Sequence, residues 1–196
     1  MEFYINDEKI DISLDKEKTV GDVLKSFEIM CEENNAAVIE IKIDGNQITA
    51  EKFDEFTPKL LDNNMKFEFS VVTHQNIKDA FIHLSVLFKQ LAERLEKVPV
   101  ELQSGKTREA NDSIKTLADS IDEFCHVATL ATLFQDYTEV KIAQKPFPEF
   151  FKEFSPVLSD FENALKENDT VTVGDLAEYE ICPRLISIAE ALEGLA

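Results

Sequence analysis

The spacing of the apolar residues changes near residue 73, and this change most constrains what the chain can fold into. Up to about residue 72, several short segments alternate between apolar and polar residues, which is the period of a half-buried β-strand, and one stretch between them has helical spacing. From His74 onward apolar residues recur at intervals of three and four, as in an amphipathic helix. The 196 residues leave room for two small domains. We therefore predict an α+β protein, with an α+β domain over residues 1–72 and an antiparallel bundle of about four helices over residues 73–196.

The first part of the N-terminal domain is predicted to be a β-hairpin followed by a helix. Alternating apolar residues flank the polar turn 6–9, as expected for a hairpin with one buried face. Thr19 is a favoured N-cap residue, and Asp22 places a carboxylate in the first helical turn. The helical spacing that follows ends near Asn34.

The second part of this domain returns to strands. Residues 38–43 alternate and are followed by the turn Asp44-Gly45, a short connection at 53–61 and a last strand at 67–71. The order of hairpin, helix, strand, short connection and last strand resembles that of the ubiquitin-like β-grasp domains. The resemblance covers about residues 1–72 and rests on element order and on the helix start.

The β-grasp resemblance implies several kinds of function, and the residues exclude some of them. Plant-type ferredoxins bind their cluster through four cysteines, whereas this domain has only Cys31. Modifiers and sulfur carriers end on a free Gly-Gly, whereas here the chain continues past Val72. A docking module is therefore the expectation that remains.

The helical region begins with two long apolar seams. The first runs from Ile77 to Val98 and is expected to stop at Pro99. A loop follows, and the second seam predicts a helix from about Thr107 to Tyr137. Helices of this kind pack most simply as an up-and-down bundle.

Two further apolar stripes complete the predicted bundle. The third runs from Phe147 to Leu165 and contains Pro156, which predicts either a kink or a new helix capped by Ser155. The fourth follows residue 176, with a kink expected at Pro183.

The start of the fourth stripe carries two recognisable patterns. The tetrapeptide 172–175 repeats the Thr-Val-Gly-Asp helix start found at Thr19, which predicts a helix capped by Thr172. The run Asp175-Leu176, Tyr179-Glu180 and Pro183 resembles the C-terminal end of small uncharacterised bacterial helical proteins, some of them associated with motility loci. That resemblance implies no activity.

The net charge of −19 restricts the partners of the chain. Residues 1–72 hold 8 basic and 17 acidic residues, and residues 73–196 hold 12 and 22, so the charge is spread over both halves. Such a field repels phosphate backbones and anionic lipids, so we expect no nucleic-acid binding. The N-terminus lacks a signal-peptide pattern and no apolar run is long enough to span a bilayer. We therefore expect a cytoplasmic protein without membrane insertion.

Few residues could act in catalysis or metal binding, and their spacing does not match that of known sites. Cys31, Cys125 and Cys182 are far apart, so neither a zinc knuckle nor a redox pair is indicated. Glu123 and His126 form one Glu-x-x-His pair, where a di-metal bundle site needs two. Neither phosphate-binding glycine pattern is present. We predict no catalytic residue, no metal and no cofactor.

Phenylalanines in the third stripe and two polar residues of the fourth are the candidate partner-binding site. The rings either form an exposed groove for a partner's helix or pack inside the bundle. The leading hypothesis is a non-enzymatic adaptor or chaperone-like protein, linked by resemblance to motility or secretion. The alternatives are a homodimer formed through the first seam and an enzyme with an unrecognised site. The candidate residues are Phe147, Phe150, Phe151, Phe154, Tyr179 and Glu180.

Overall fold

The chain divides into two units. The computed structural model describes residues 1–195, apart from the side chain of Thr107. The first unit spans Met1–Asn76, and the second runs from Ile77 to the C-terminal end. Strands dominate the first unit and helices the second. The predicted α+β class is confirmed.

A five-stranded mixed sheet forms the first unit. Its strands are β1 (Glu2–Ile5), β2 (Glu8–Ile10), β3 (Ala36–Ile43), β4 (Asn46–Gln47) and β5 (Lys66–Thr73). They lie in the order β2-β1-β5-β3-β4. β1 pairs with β5 in parallel, and the other pairs are antiparallel. The predicted hairpin and strands are therefore present in the structure.

One long helix covers this sheet. α1 (Val20–Glu33) begins with a capping box, in which Thr19 accepts a hydrogen bond from the Asp22 N–H and Asp22 accepts one from the Thr19 N–H. The Phe27 ring stacks on Phe69 of β5, with centroids 3.8 Å apart. A short helix, α2 (Ala50–Phe56), lies between β4 and β5. The core of the unit comprises Phe3, Val20, Val23, Leu24, Phe27, Cys31, Ile43, Phe67 and Phe69.

Two hairpin turns of this unit use left-handed backbone at both central residues. Asn6 and Asp7 have φ values of 48° and 67°, and Asp44 and Gly45 have 50° and 76°. Asn, Asp and Gly tolerate this region better than other residues do. The Asn6 side chain also donates to the Val71 carbonyl and accepts from its N–H, which continues the pairing of β1 with β5.

The second unit contains four long helical segments, as predicted, together with elements that the spacing did not predict. The α-helices are α3 (His74–Leu95), α4 (Val98–Gln103), α5 (Thr107–Ala131), α6 (Phe147–Lys166), α7 (Thr170–Asp175) and α8 (Cys182–Glu193). A 3₁₀ turn (Gln135–Tyr137), a hairpin of β6 (Lys141–Ile142) and β7 (Lys145–Pro146), and a π-helical turn (Leu176–Ile181) complete it. The short α4 and the hairpin were not predicted, and α5 ends at Ala131 instead of Tyr137.

The prolines of the second unit agree with the prediction only in part. The helix of the first seam, α3, ends at Leu95, before Pro99 as predicted, but Pro99 lies in the first turn of a further helix, α4, where its missing N–H costs nothing. α6 continues through Pro156, which excludes a new start at Ser155. Pro183 lies in the first turn of α8, directly after the π-helical turn.

The start of α7 also differs from the prediction. Asp169 is its N-cap and accepts a hydrogen bond from the Thr172 N–H, so Thr172 lies within the first turn and is not the cap. The carboxylate of Asp169 caps the helix in place of the predicted hydroxyl. Further along α7, a Cβ atom added to Gly174 would lie 3.0 Å from two ring carbons of Pro99.

The first apolar seam is part of the core. Its side chains Ile77, Phe81, Leu84, Phe88, Leu91, Leu95 and Val98 are each at most 2% exposed. No helix within residues 1–195 combines the length and apolar composition that crossing a bilayer requires.

Candidate functional site

The second unit contains an open cavity of about 480 Å³. α3, α5 and α8 contribute to its lining, together with the segment 132–141 and the residues around the start of α6. This volume lies within the usual range for ligand-binding clefts, roughly 300–1,000 Å³. The cavity is therefore the candidate functional site.

Buried apolar and aromatic side chains form the floor of the cavity. Phe81, Phe124, Ala131, Tyr137 and Leu192 all line it, and each is at most 6% exposed. The rings of Phe81 and Tyr137 meet edge to face, with centroids 5.3 Å apart. Burial, followed by the nearby Asp136 carboxylate, raises the pKa of the Tyr137 phenol, which is therefore neutral at physiological pH.

The mouth of the cavity is more polar than the floor. Thr132, Thr138, Glu139 and Lys141 line it and are exposed. Neither Glu139 nor Lys141 forms an ion pair with another residue that the structure describes. A buried apolar centre inside a polar rim is the usual anatomy of a protein-binding surface.

The β6–β7 hairpin forms one wall of the cavity. Lys141 of β6 and Pro146 of β7 line it, and Ile142 anchors the hairpin because its side chain is fully buried. The turn residues Ala143 and Gln144 have φ values of 49° and 67°, a conformation that costs L-residues other than Gly, Asn and Asp about 1 kcal/mol or more each. The buried Ile142 and the hairpin pairing hold this turn in place.

The structure separates the four predicted phenylalanines into two kinds. Phe150 and Phe154 are 4% and 0% exposed, so they belong to the core and cannot form an exposed groove. Phe147 and Phe151 are half-buried, and Phe147 lines the cavity. Both half-buried rings contact Phe124, at centroid distances of 5.4 and 5.7 Å. Only Phe147 among the four therefore belongs to the cavity site.

Tyr179 and Glu180 lie outside the cavity lining. Tyr179 is 66% exposed on the π-helical turn, and its hydrogen bond to Glu178 raises the pKa of its phenol. Glu180 forms an ion pair with Arg184, whose guanidinium carbon lies 6.0 Å from the centroid of the Phe154 ring. Arg184 thus links Glu180 to a core ring of the phenylalanine stripe.

The apolar stripes predicted from the sequence include most of the floor residues, but they do not show that these residues meet at one site. The available signal is in α5, where Phe124 is followed at intervals of four and three by Ala128 and Ala131. Both alanines line the cavity, because small side chains in a stripe of large ones leave space. Tyr137 was not identified, since its segment was predicted to be regular helix.

Metal-binding groups do not converge in the part of the chain that the structure describes. Within residues 1–195 there is no group of three or more His, Cys, Asp or Glu side chains that could hold a metal ion. Cys125 is half-buried and His126 is exposed. Burial raises the pKa of the Cys125 thiol, so the thiolate is disfavoured.

The fold is that of a two-unit α+β protein with an open cavity in its helical unit. Residues 79–191 match the family described as "Domain of unknown function (DUF8042)", and residues 1–73 match the "TP0873 N-terminal domain". Because the first match covers more than half of the chain, the chain belongs to the DUF8042 family. An uncharacterised protein of Treponema pallidum (strain Nichols) is 23% identical over 192 residues, covering 98% of this chain and 96% of that protein. No solved structure matches the chain.

Proposed function

We propose that this chain is a non-enzymatic, protein-binding adaptor whose helical unit receives a segment of its partner in the cavity. The observation that carries the proposal is the combination of a buried aromatic floor with an exposed polar mouth. Binding energy at protein interfaces concentrates where one large side chain fills such a pocket and the surrounding contacts exclude water.

The lining of the cavity supports a binding role over a catalytic one. Its described residues include a single carboxylate, Glu139, and no His, Cys or Ser. The lining holds Thr, Tyr, Glu139 and Lys141, but no pair of carboxylates and no His that could act as a base beside a nucleophile. An apolar lining with few polar groups suits recognition.

The homodimer alternative has less support. The seam from Ile77 to Val98, through which it would form, is buried within the chain's own fold. Two copies, each with a charge of −19, also repel one another. We therefore favour a different protein as the partner.

For the first unit, we infer a β-grasp docking head. The strand order β2-β1-β5-β3-β4, the parallel pair β1–β5 and the single covering helix α1 support this assignment. Fold alone does not define a function, so the role in docking is part of the proposal. We place the adaptor in the cytoplasm, and the resemblance of its C-terminal end suggests motility or secretion as the pathway.

A tagged pull-down from the native cell tests the adaptor function. Ala128 is half-buried in the lining, so Ala128→Phe should fill the cavity. Ala118 is exposed on the same helix and does not line the cavity, so Ala118→Phe is the matched control. We expect one stoichiometric partner with the wild type and the control, and its loss with Ala128→Phe, while circular dichroism shows both variants folded. Recovery of the same partner with both variants would rule out the cavity as the docking site.

A further inference from the structure

We propose that the partner segment is a basic amphipathic helix that places a bulky apolar side chain in the cavity and its Lys or Arg residues against Glu139 and the acidic surface of the segments that form the cavity. This inference rests on the proposed function, since it specifies the chemistry of the partner at the same site. It uses two independent observations, the apolar character of the cavity and the charge of the segments that form it.

The apolar part of the partner is indicated by the cavity and by the surface next to it. The floor residues Phe81, Phe124 and Leu192 are each at most 2% exposed, so a side chain that reaches them leaves water almost completely. Leu133 follows the lining residue Thr132 and is 52% exposed, which extends the apolar surface beyond the cavity. A helix with several apolar residues on one face covers both features, whereas a single small ligand covers only the cavity.

The basic part of the partner is indicated by Glu139 in the lining and by the acidic excess of the sequence segments that contribute lining residues. Within three positions of a lining residue, the sequence carries eight carboxylates and three lysines. All eight acidic residues are exposed. Glu193 forms an ion pair with Lys89, and Asp79 and Asp136 also interact with other residues. Among the three lysines, Lys145 is neutralised by Glu153. The carboxylates belong to Asp79, Asp122, Glu123, Asp136, Glu139, Glu149, Glu190 and Glu193.

This excess of negative charge selects among the occupants that the cavity could accept. A second copy of the chain brings a charge of −19 and is repelled. A neutral ligand gains nothing from the carboxylates. A cationic helix gains from them in association rate and in specificity, because charge complementarity at the rim steers the encounter and disfavours like-charged competitors.

Binding of defined peptides to the full chain tests the inference. The chain contains no Trp, so a Trp on the apolar face of an amphipathic peptide of about 18 residues is the only indole that fluoresces. We expect a blue shift of its emission on binding when the polar face carries Lys. A peptide with Glu in place of Lys should bind at least about tenfold more weakly, and raising the salt concentration should weaken the Lys peptide.

Two pairs of variants locate the site. Ala128→Phe should weaken the Lys peptide by at least about tenfold, and Ala118→Phe should not. Glu139→Lys should weaken it by about threefold or more, whereas Asp160→Lys makes the same charge change at an exposed position outside the lining and should have little effect.

Each other outcome has a defined meaning. Equal binding of the Lys and Glu peptides, or binding that Ala128→Phe leaves unchanged, overturns the inference. If the peptides fail to bind but the cavity-dependent partner is still captured in the pull-down, the partner chemistry is wrong and the adaptor function stands. If both experiments fail, the adaptor function itself is wrong.

Discussion

Side-chain hydrogen bonds cap the N-termini of three helices. Thr19 and Asp22 form the capping box of α1, and Thr73 and Asn76 exchange equivalent hydrogen bonds at the start of α3, with N···O distances of 3.0 Å. Asp169 caps α7 alone. Each cap satisfies backbone N–H groups that a helix start otherwise leaves without partners.

Removing the Thr19 cap of α1 should lower the unfolding free energy of the first unit. Thr19→Ala removes the hydroxyl that accepts from the Asp22 N–H, so we expect the first unit to lose about 1 kcal/mol of unfolding free energy. Thr49 precedes α2 and makes no such bond, so Thr49→Ala should change stability by less than about 0.5 kcal/mol. Urea unfolding of both variants checks the difference. Equal losses would mean that the hydrogen bond contributes nothing.

The buried thiol of Cys182 should make stability fall at high pH. Burial, followed by the charges of Glu96 and Glu178, raises the pKa of this thiol to about 11, from about 9 in the unfolded chain. The unfolded thiol therefore ionises first as the pH rises, and stability is lost between pH 9 and 11. The loss is at most about 2.7 kcal/mol for this group.

Urea unfolding across this pH range checks the Cys182 prediction. The wild type should lose more stability between pH 9 and 11 than the Cys182→Ala variant does. Cys31→Ala tests a second buried thiol whose pKa is also raised by burial. Identical slopes for the wild type and Cys182→Ala would contradict the assignment.

The turns show how far residue type alone predicts a left-handed backbone conformation. The polar turn near Asn6 and the pair Asp44-Gly45 were identified from sequence, because these residues tolerate left-handed backbone. Ala143 and Gln144 adopt the same conformation without any such preference. Tertiary anchoring through Ile142 determines that turn, and no local pattern indicates it. The hairpin wall of the cavity was therefore not predictable from the sequence.

At the scale of elements, the close approach of α7 to α4 depends on a glycine. Gly174→Ala places a Cβ 3.0 Å from the Pro99 ring, which cannot rotate away. Overpacking costs about 1–3 kcal/mol, against about 1 kcal/mol gained in helix propensity, so we expect a net loss of stability. Gly194 lies at the end of α8, where an added Cβ makes ordinary contacts, so Gly194→Ala should not destabilise. Thermal unfolding of the two variants compares them, and an equal melting temperature would show that α4 shifts freely.

Helix periodicity predicted the long elements well and the short ones poorly. Apolar stripes gave α1, α3, α5 and α6, because each buries one continuous face. The short α4 and the 3₁₀ turn contain too few residues for a stripe to appear. The 3₁₀ turn and the equally short β6–β7 hairpin line the cavity, which explains why the sequence showed its aromatic floor as separate stripes and not as a site.

At the scale of the whole molecule, each unit has its own buried residues. The first unit buries nine core side chains between α1 and the sheet, and the second buries its helical seams. Domains with their own core usually fold alone. We therefore expect residues 1–73 and 73–196, expressed separately so that β5 and the cap of α3 both stay complete, each to give cooperative urea unfolding by circular dichroism. A fragment that fails to unfold cooperatively would show that its core is incomplete without the other.

The π-helical turn between α7 and α8 has a consequence for chain length. An i→i+5 turn contains one residue more than a regular turn, so Leu176–Ile181 holds a residue that a continuous helix does not need. Deleting the exposed Glu178 should therefore leave the register of α8 and its burial of Leu192 intact. Deleting the exposed Gln90 from regular α3 should rotate every later position of that helix by about 100° and unfold it. Insertions and deletions of one residue among relatives should accordingly accumulate at this turn.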